Sequence, residues 1–358
     1  MAKKSLRVQS TKLQGMRKLK SSLRPWLIAA GWVYYAILFG WYAAYVISGD
    51  QFGYLGLLNA LSFYLFAPLP VMALLAMWTK RREQRLGFAR SIGLFLWLWG
   101  GLLIPPSARA HAEGETLTVM SYNVLGLHTQ TEPIIETLLE QDVDLVLLQE
   151  VNEPLSEALA TAFAEIYPYQ IVDPVNDVRG MAALSKYPLQ ASGEQLPLEW
   201  LGRPQLLELV WNDQVVKVLN VHLYSTGFGL PWAVSHNFRL REQQAHALAD
   251  YASQAAHNSA VIVAVDANAT SMNTAFQILT ESMTDAWLSG GFGFGHTFPG
   301  SADSGTKKPR VAGMLIPRWL IRIDYIFLSE HWDTRVTWNA PHDGVSDHRA
   351  VVAELSLR

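Results

Sequence analysis

The sequence predicts two physically different parts. An all-α membrane-spanning segment of about three helices comes first. It is followed by an α/β domain in which two packed sheets are flanked by helices. Three observations carry this reading. Residues 1–110 hold 14 Lys and Arg but only two acids, Asp50 and Glu83, whereas residues 111–358 hold the other 14 bases, 29 acids and all ten His. The first part therefore stands at +12 and the second at −15, against −3 for the whole chain. Long uncharged runs fill the first part, while short β-rich runs alternate with helical stretches in the second. Many strands with few helices between them favour two stacked sheets over one parallel sheet.

The opening 24 residues carry eight bases and no acid, and residues 25–48 (PWLIAAGWVYYAILFGWYAAYVIS) carry no charge at all. Such a run is long enough to cross a bilayer as a helix, and too long for the apolar stretch of a secretory signal. A second span is expected within Tyr54–Trp78 despite Pro68 and Pro70. A third is expected over Ser91–Ile104, extended back across Arg90, whose long side chain reaches the interface. The bases of the N-terminus and of the 80–90 loop assign both to the cytoplasmic side, and the short 49–53 connection has none. The expected organisation is a basic cytoplasmic N-terminus (1–24), a multi-pass cell-membrane region (25–106), a linker (107–115) and an extracytoplasmic catalytic domain (116–358). The linker stretch SARAHAEG (107–114) has the small residues of a cleavage site, so proteolytic release is the alternative. The chain has no Cys, which excludes disulfides, zinc–thiolate sites and a cysteine nucleophile.

From Thr116 onward the strands read as LTVMSYNV (117–124), VDLVLLQEV (143–151), GMAALSKYPL (180–189), QLLELVW (205–211) and VVKVLNVHL (215–223). VIVAV (261–265), LIRIDYIFL (320–328) and AVVAELSL (350–357) complete the set. Helices are expected at about 132–141 and over Arg239–Ala256, where apolar residues recur at helical spacing. Polar residues stand at the strand ends: Asn123, Glu150, His222, Asp266 with Asn268, Asp324, and Asp347 with His348. Taken singly, each has an ordinary explanation as a turn residue, a solvated acid or a packed histidine. A buried strand that runs into a carboxylate and an amide, as VIVAVDAN does, is costly unless something binds them.

SYNV, LLQEV, GMAALSKYPL, NVHL, DAN, RIDYIFLS and SDHRAVVAEL, in this order, resemble the endonuclease/exonuclease/phosphatase superfamily, over about residues 115–358. The resemblance implies a four-layer α/β/β/α sandwich (DNase I-like), with the site at one edge of the two sheets. It also implies metal-dependent hydrolysis of a phosphoester or phosphoanhydride by direct attack of water, usually with Mg²⁺ and with Mn²⁺ as the second candidate. A hard divalent cation takes oxygen ligands, and Glu150 is the expected primary ligand, with Asn123 and Asp347 assisting. By the same resemblance Asp266 orients or deprotonates the attacking water, Asn268 holds water or a phosphoryl oxygen, and His222 donates to a phosphoryl oxygen. Asp324 is expected to pair with His348 and favour its protonated form. Arg179 and Arg322 are weaker candidates for contact with an anionic substrate, and Tyr122 and Tyr325 are expected to pack.

Three positions depart from family patterns. Leu125 stands where AP endonucleases carry a second acid, His222 where they carry Tyr, and Val265 where the family has Gly. The first two place the site nearer the DNase I, phosphatase and sphingomyelinase branches. The acidic domain lacks the basic stripe that a nuclease uses to neutralise phosphates, apart from Lys307, Lys308 and Arg310. Two apolar loops, 225–238 and 311–320, are expected near the metal. There Trp232, Phe238, Met314, Leu315 and Trp319 either face lipid or pack on the domain. With the three-span anchor, this resembles bacterial membrane phosphatases linked to glycopeptide resistance, and the expected partners are the bilayer and a lipid-linked phosphate or diphosphate. A phospholipase-C-like or sphingomyelinase-like phosphodiesterase, an extracytoplasmic DNase or RNase, and an inactive scaffold are the alternatives; no protein partner is implied.

Overall fold

A computed structural model describes residues 2–106, 114–128, 130–227, 229–300, 309–311 and 314–358. Most of the cleavage-like stretch, Lys307 and Lys308, and residues 228 and 312–313 of the two apolar loops lie outside the described residues. The chain divides into two compact units, one of residues up to Ser48 with Ser62–Gly101, the other of Gly49–Leu61 with Leu102–Arg358.

The helices of the N-terminal hundred residues are α1 (Ala2–Ser48), α2 (Gly53–Ala60), α3 (Leu69–Thr79) and α4 (Arg82–Trp99). Three stretches, Leu23–Ser48, Ser62–Thr79 and Arg82–Leu103, are long and apolar enough to cross a membrane. The second begins at Ser62 rather than near Tyr54. They hold large apolar side chains outward, Trp26 and Trp97 among them, as helices in an apolar surrounding do. Within this unit Gly87 lets the ring of Tyr35 approach so closely that a Cβ would lie 2.4 Å from it. The Tyr35 hydroxyl donates to the Gln84 backbone oxygen at 3.2 Å.

The second unit carries all the strands. They are β1 (Leu117–Asn123), β2 (Leu145–Gln149), β3 (Tyr169–Asp173), β4 (Met181–Ser185), β5 (Leu189–Ala191), β6 (Gln205–Trp211) and β7 (Gln214–His222). The rest are β8 (Val261–Asp266), β9 (Thr284–Asp285), β10 (Arg310–Val311), β11 (Met314–Leu315), β12 (Asp324–Leu328), β13 (Trp332–Asn339) and β14 (Val351–Leu357). Its further helices are α5 (Glu132–Gln141), α6 (Glu153–Ala162), α7 (Pro231–Ala256), α8 (Thr274–Ser282) and α9 (Ala286–Gly290). One sheet runs β13-β14-β1-β2-β4-β3, the other β5-β6-β7-β8-β12-β9, and β10 and β11 form a small ribbon. Both large sheets are mixed: β1 and β2 pair in parallel, as do β7 and β8, among otherwise antiparallel neighbours.

Side-chain alternation builds the layers. In β8, Ile262 and Ala264 enter the core between the sheets, while Val261, Val263 and Val265 enter a second core with Leu248, Ala252 and Leu279 of α7 and α8. In β1 and β2, Val119, Leu145 and Leu147 face the inter-sheet core, while Met120, Val146 and Leu148 pack on Ile134, Leu138, Leu155 and Leu159 of α5 and α6. Two sheets thus stack face to face with helices on both outer faces.

Several elements differ from the sequence expectation. The 180–189 run splits at a turn into β4 and β5, and β12 begins only at Asp324. β3 and β13, whose register shifts between Thr334 and Val336, are absent from that expectation. α7 starts at Pro231, two turns before the expected Arg239, because proline is well suited to a helix's first turn. Most of the expected apolar loop 225–238 is therefore helix. Of the two readings for its Phe238, packing on the domain holds: the ring is 1% exposed, packed by Gly56 of α2, where a Cβ would lie 2.7 Å from the ring.

Candidate active site

The period-two rule that fills the inter-sheet core also delivers the polar cluster. Continuing the inward rows to the strand ends, Val119 leads to Asn123, Val218 to Asn220 and His222, Ala264 to Asp266, and Ile326 back to Asp324. His222 lies opposite Asp266 in the parallel β7–β8 pair, and Asp324 opposite Asp266 across β8–β12. Glu150 directly follows β2 with a φ of +63°, and Asn268 follows β8 with a φ of +47°. Both are left-handed backbones held by their surroundings, a form of local strain concentrated at functional sites.

The side chains meet closely. Asn123 Nδ2 donates to Glu150 Oε1 at 3.0 Å and to Asp266 Oδ2 at 2.9 Å. Glu150 Oε2 accepts from the Gly126 amide at 3.2 Å. Asp266 Oδ1 accepts from the Asn268 amide at 2.9 Å. Asn268 Nδ2 lies 3.1 Å from the Leu223 carbonyl and 3.0 Å from His222 Nε2. Donation to the carbonyl fixes this nitrogen's position, so its second proton faces Nε2. His348 Nδ1 meets both oxygens of Asp324, at 2.9 and 3.1 Å, which leaves Nε2 3.9 Å from Asp266 and 3.8 Å from Asp347. Burial works against the His348 cation, yet the adjacent Asp324 and Asp266 carboxylates hold its pKa well above the usual histidine range. The structure thus brings together Asn123, Glu150, His222, Asp266, Asn268, Asp324, Asp347 and His348.

Arg179 and Arg322 are engaged elsewhere. Arg179 is spent on Asp177 at the surface, with Nη2 2.6 Å from Oδ2. Arg322 is buried, donates to Asp285 at 2.6 Å and stacks 4.5 Å from the centre of the Tyr325 ring. The Tyr325 hydroxyl, with one proton to donate, lies 2.8 Å from the backbone oxygens of both Ala269 and Arg322, and Tyr122 donates to Asp343. Of the apolar rim, Trp232, Met314 and Leu315 are exposed, whereas Trp319 meets His342 edge to face and lies under the Arg349 guanidinium.

Sequence reasoning missed the residues that hold the cluster in place. Gln149 donates to Asn220 Oδ1 at 2.8 Å, and Asn220 Nδ2 in turn reaches Gln205 Oε1 and the Leu148 and Ala182 backbone oxygens. This buried bridge joins the two sheets one layer beneath the site. Ser346 Oγ donates to the Asn123 backbone oxygen at 2.7 Å and accepts from the His348 amide at 3.0 Å. Arg241 of α7 is 1% exposed. It donates to the Asn268 backbone oxygen and to Thr226 Oγ1, with the Phe238 ring centre 4.4 Å from its Cζ. Burial pulls its pKa down to about 10, against the pull of Asp50, Glu242 and Asp266. The signal available was its place within the helical pattern, on the face that otherwise buries Leu248 and Ala252.

A sequence profile described as the Endonuclease/Exonuclease/phosphatase family matches residues 120–348, from β1 to the His348 of the cluster. The chain belongs to that family. None of the curated proteins matches it in sequence. Among solved structures it is similar to an endonuclease/exonuclease/phosphatase from Bacteroides vulgatus at 15% identity and TM-score 0.52, over 68% of this chain and 100% of that one. TDP2 from C. elegans follows at 19% identity and TM-score 0.51, over 69% and 76% of the two chains. TDP2 from D. rerio, solved with a single strand DNA product, stands at 16% identity and TM-score 0.51, over 68% and 100%. These likenesses describe the fold. The family is hydrolytic, of the nuclease and phosphatase kind, and depends on a divalent metal.

The residues present fit such an ion. Asp266, Asp324 and His348 bring ligand atoms within 4.8 Å of one another. Asn123 bridges Asp266 to Glu150, and Asp347 borders His348. Three buried carboxylates and a half-buried fourth converge on two imidazoles, an excess of negative charge that a cation offsets. Asp324 occupies His348 Nδ1. Asn123 turns its Nδ2 to Glu150 and Asp266 while its Oδ1 accepts from the Leu125 amide at 3.0 Å, so the oxygen ligands that the cluster offers a hard divalent cation are its carboxylates.

Proposed function

We propose that this protein is a membrane-anchored, Mg²⁺-dependent phosphohydrolase that cleaves a lipid-linked phosphate or diphosphate outside the cytoplasmic membrane by direct attack of water. The observation that carries the hydrolytic reading is the convergence of Asp266, Asn268, His222 and His348 at one edge of the sheets, beside Glu150 and Asn123. Glu150 and Asp347, with Asn123 bonded to Glu150, would hold the metal, and a bound ion would supply charge neutralisation at the phosphoryl oxygens. Asp266 orients the attacking water and takes its proton. Its carboxylate is fixed for this by the Asn123 side chain and the Asn268 amide. His348, kept cationic by Asp324, faces the charge that builds on the phosphoryl group, and donors aimed at developing charge are the expected major contribution to rate. Asn268 and His222, hydrogen-bonded to one another, form the adjoining wall of the site.

The membrane part rests on the three apolar stretches and on the division of the chain. Gly49–Leu61 belongs to the same compact unit as Leu102–Arg358, so the two lie on one side of any bilayer the helices cross. Three crossings then leave the basic N-terminus and the Lys80–Arg85 bases on the other side, which the positive charge assigns to the cytoplasm. The lipid-linked substrate follows from this anchorage and from the −15 balance of residues 111–358, which is unfavourable for generic nucleic-acid binding.

A nuclease is the second reading, favoured by the D. rerio relative solved with a single strand DNA product. The full chain in detergent with Mg²⁺ is to be offered a polyprenyl diphosphate and, separately, plasmid and single-stranded DNA. Phosphate release without DNA cleavage is the expected result. DNA cleavage with an untouched diphosphate would reverse the order of the two readings.

A further inference from the structure

The helix α2 is built inside out. Its inward face, at positions three apart, is Gly53, Gly56 and Asn59, all buried, while Tyr54 and Leu58 on the other face are exposed, as is Phe52 just before it. A helix packed on a water-soluble domain does the reverse, turning its large apolar residues inward. The glycine face is nonetheless firmly docked. The Gly53 amide donates to Ser235 Oγ at 2.7 Å, and Gly56 lies against Phe238 and accepts from Asn273 Nδ2 at 3.0 Å. Asp50, 2% exposed, accepts from Asn59, from Asn273 and from the Thr274 amide that opens α8. Beside it, at the start of α7, Leu230 and Trp232 are also exposed, and the Tyr54 hydroxyl reaches the Gly229 carbonyl at 3.4 Å.

We propose that α2 and the first turn of α7 form a lipid-contacting seat, through which Phe52, Tyr54, Leu58, Leu230 and Trp232 rest in the bilayer surface. The occupant follows from the chain itself. Gly49–Leu61 is joined at both ends to stretches long and apolar enough to cross a membrane, ending at Ser48 and beginning at Ser62. A patch tethered so shortly to two spans meets lipid, and Trp and Tyr favour that interface. The seat lies close to the chemistry, because Phe238, packed by Gly56, supports Arg241, which holds the Asn268 backbone. The inference rests on the membrane reading given above but not on the identity of the substrate.

The absence of cysteine from the chain gives a clean test. Leu58→Cys, Trp232→Cys and Tyr54→Cys, each in the full chain, are to carry a nitroxide in vesicles of phosphatidylethanolamine and phosphatidylglycerol. Collision with oxygen and with an aqueous nickel chelate is then read by electron paramagnetic resonance. Ile37→Cys within the first apolar stretch and the exposed Glu140→Cys serve as lipid and water references. Relaxation by oxygen and shielding from nickel at all three seat positions, matching Ile37→Cys and opposite to Glu140→Cys, is the expected outcome. Water-like behaviour at the seat with lipid-like behaviour at Ile37→Cys overturns the seat and leaves the spans standing. Water-like behaviour at Ile37→Cys as well removes the membrane reading and the seat together. Shielding from both relaxants at the seat points to a covering protein and also overturns the proposal.

Discussion

Asp324 grips Nδ1 of His348 with both carboxylate oxygens, at 2.9 and 3.1 Å, in a site where the histidine is 5% exposed and the aspartate 0%. The grip sets the ring's orientation and its charge. Asp324→Asn keeps the shape and removes the charge, so hydrolysis should fall by about 10²-fold or more. The fold should survive, which circular dichroism checks.

The same pair gives stability a pH dependence. His348 has its folded pKa well above its unfolded value of about 6.5. The stabilisation from its charged form is complete below that unfolded value and is lost as pH rises through the folded value. Urea titrations of the full chain in detergent should show this loss on the alkaline side. His348→Gln should lack that part of the slope.

Asp266 is expected to trade stability against activity. It is buried opposite Asp324, whose pKa is raised by burial and by the Asp266 charge against the pull of His348, so the two carboxylates repel when no metal is bound. Asp266→Asn should abolish turnover while raising the melting temperature of the metal-free protein. Mg²⁺ at about a hundred times its dissociation constant should stabilise the unmodified chain by about 2.7 kcal/mol. Glu150→Gln should respond much less, as differential scanning fluorimetry with and without chelator would record.

Arg241 supports the site from behind through its donation to the Asn268 carbonyl. Arg241→Met would leave that carbonyl without its donor, at a cost of about 1–3 kcal/mol, and free Asn268 to drift from His222. The expected sign of positioning is a lower kcat with little change in KM, partly restored in Arg241→Lys.

Asp50→Ala would strip α8 of the carboxylate at its first amide and leave Asn273 short of partners. A loss of about 1–3 kcal/mol is expected from denaturant titration. A fragment starting at Gly114 should be less stable than the same residues within the full chain, because it lacks α2.

Much of the site was legible because strand alternation is strict. An apolar run such as Val261–Val265, filling two cores by turns, ends in Asp266 on the inward row, and Asn123, His222 and Asp324 follow the same rule, whereas Glu150 follows β2 on a left-handed backbone. What escaped was long-range. Nothing local marks Asp50 as the cap of a helix 224 residues further on. The start of α7, rich in Gly, Pro and Trp just before it, reads as loop until α2 is there to cover Val234 and Phe238. Arg322, two residues before Asp324, pairs instead with Asp285, because it precedes β12 and strand alternation does not govern it.

The contacts of Asp50 also order events during synthesis. Its partners Asn273 and Thr274 are made more than two hundred residues later, long after Gly49–Leu61 has left the ribosome. Until then the carboxylate stays hydrated and the glycine face of α2 has nothing to rest on. Closure of so distant a contact is entropically costly and late. The segment that emerges early is a latch that fastens late, and it cannot close before Thr274 has been produced.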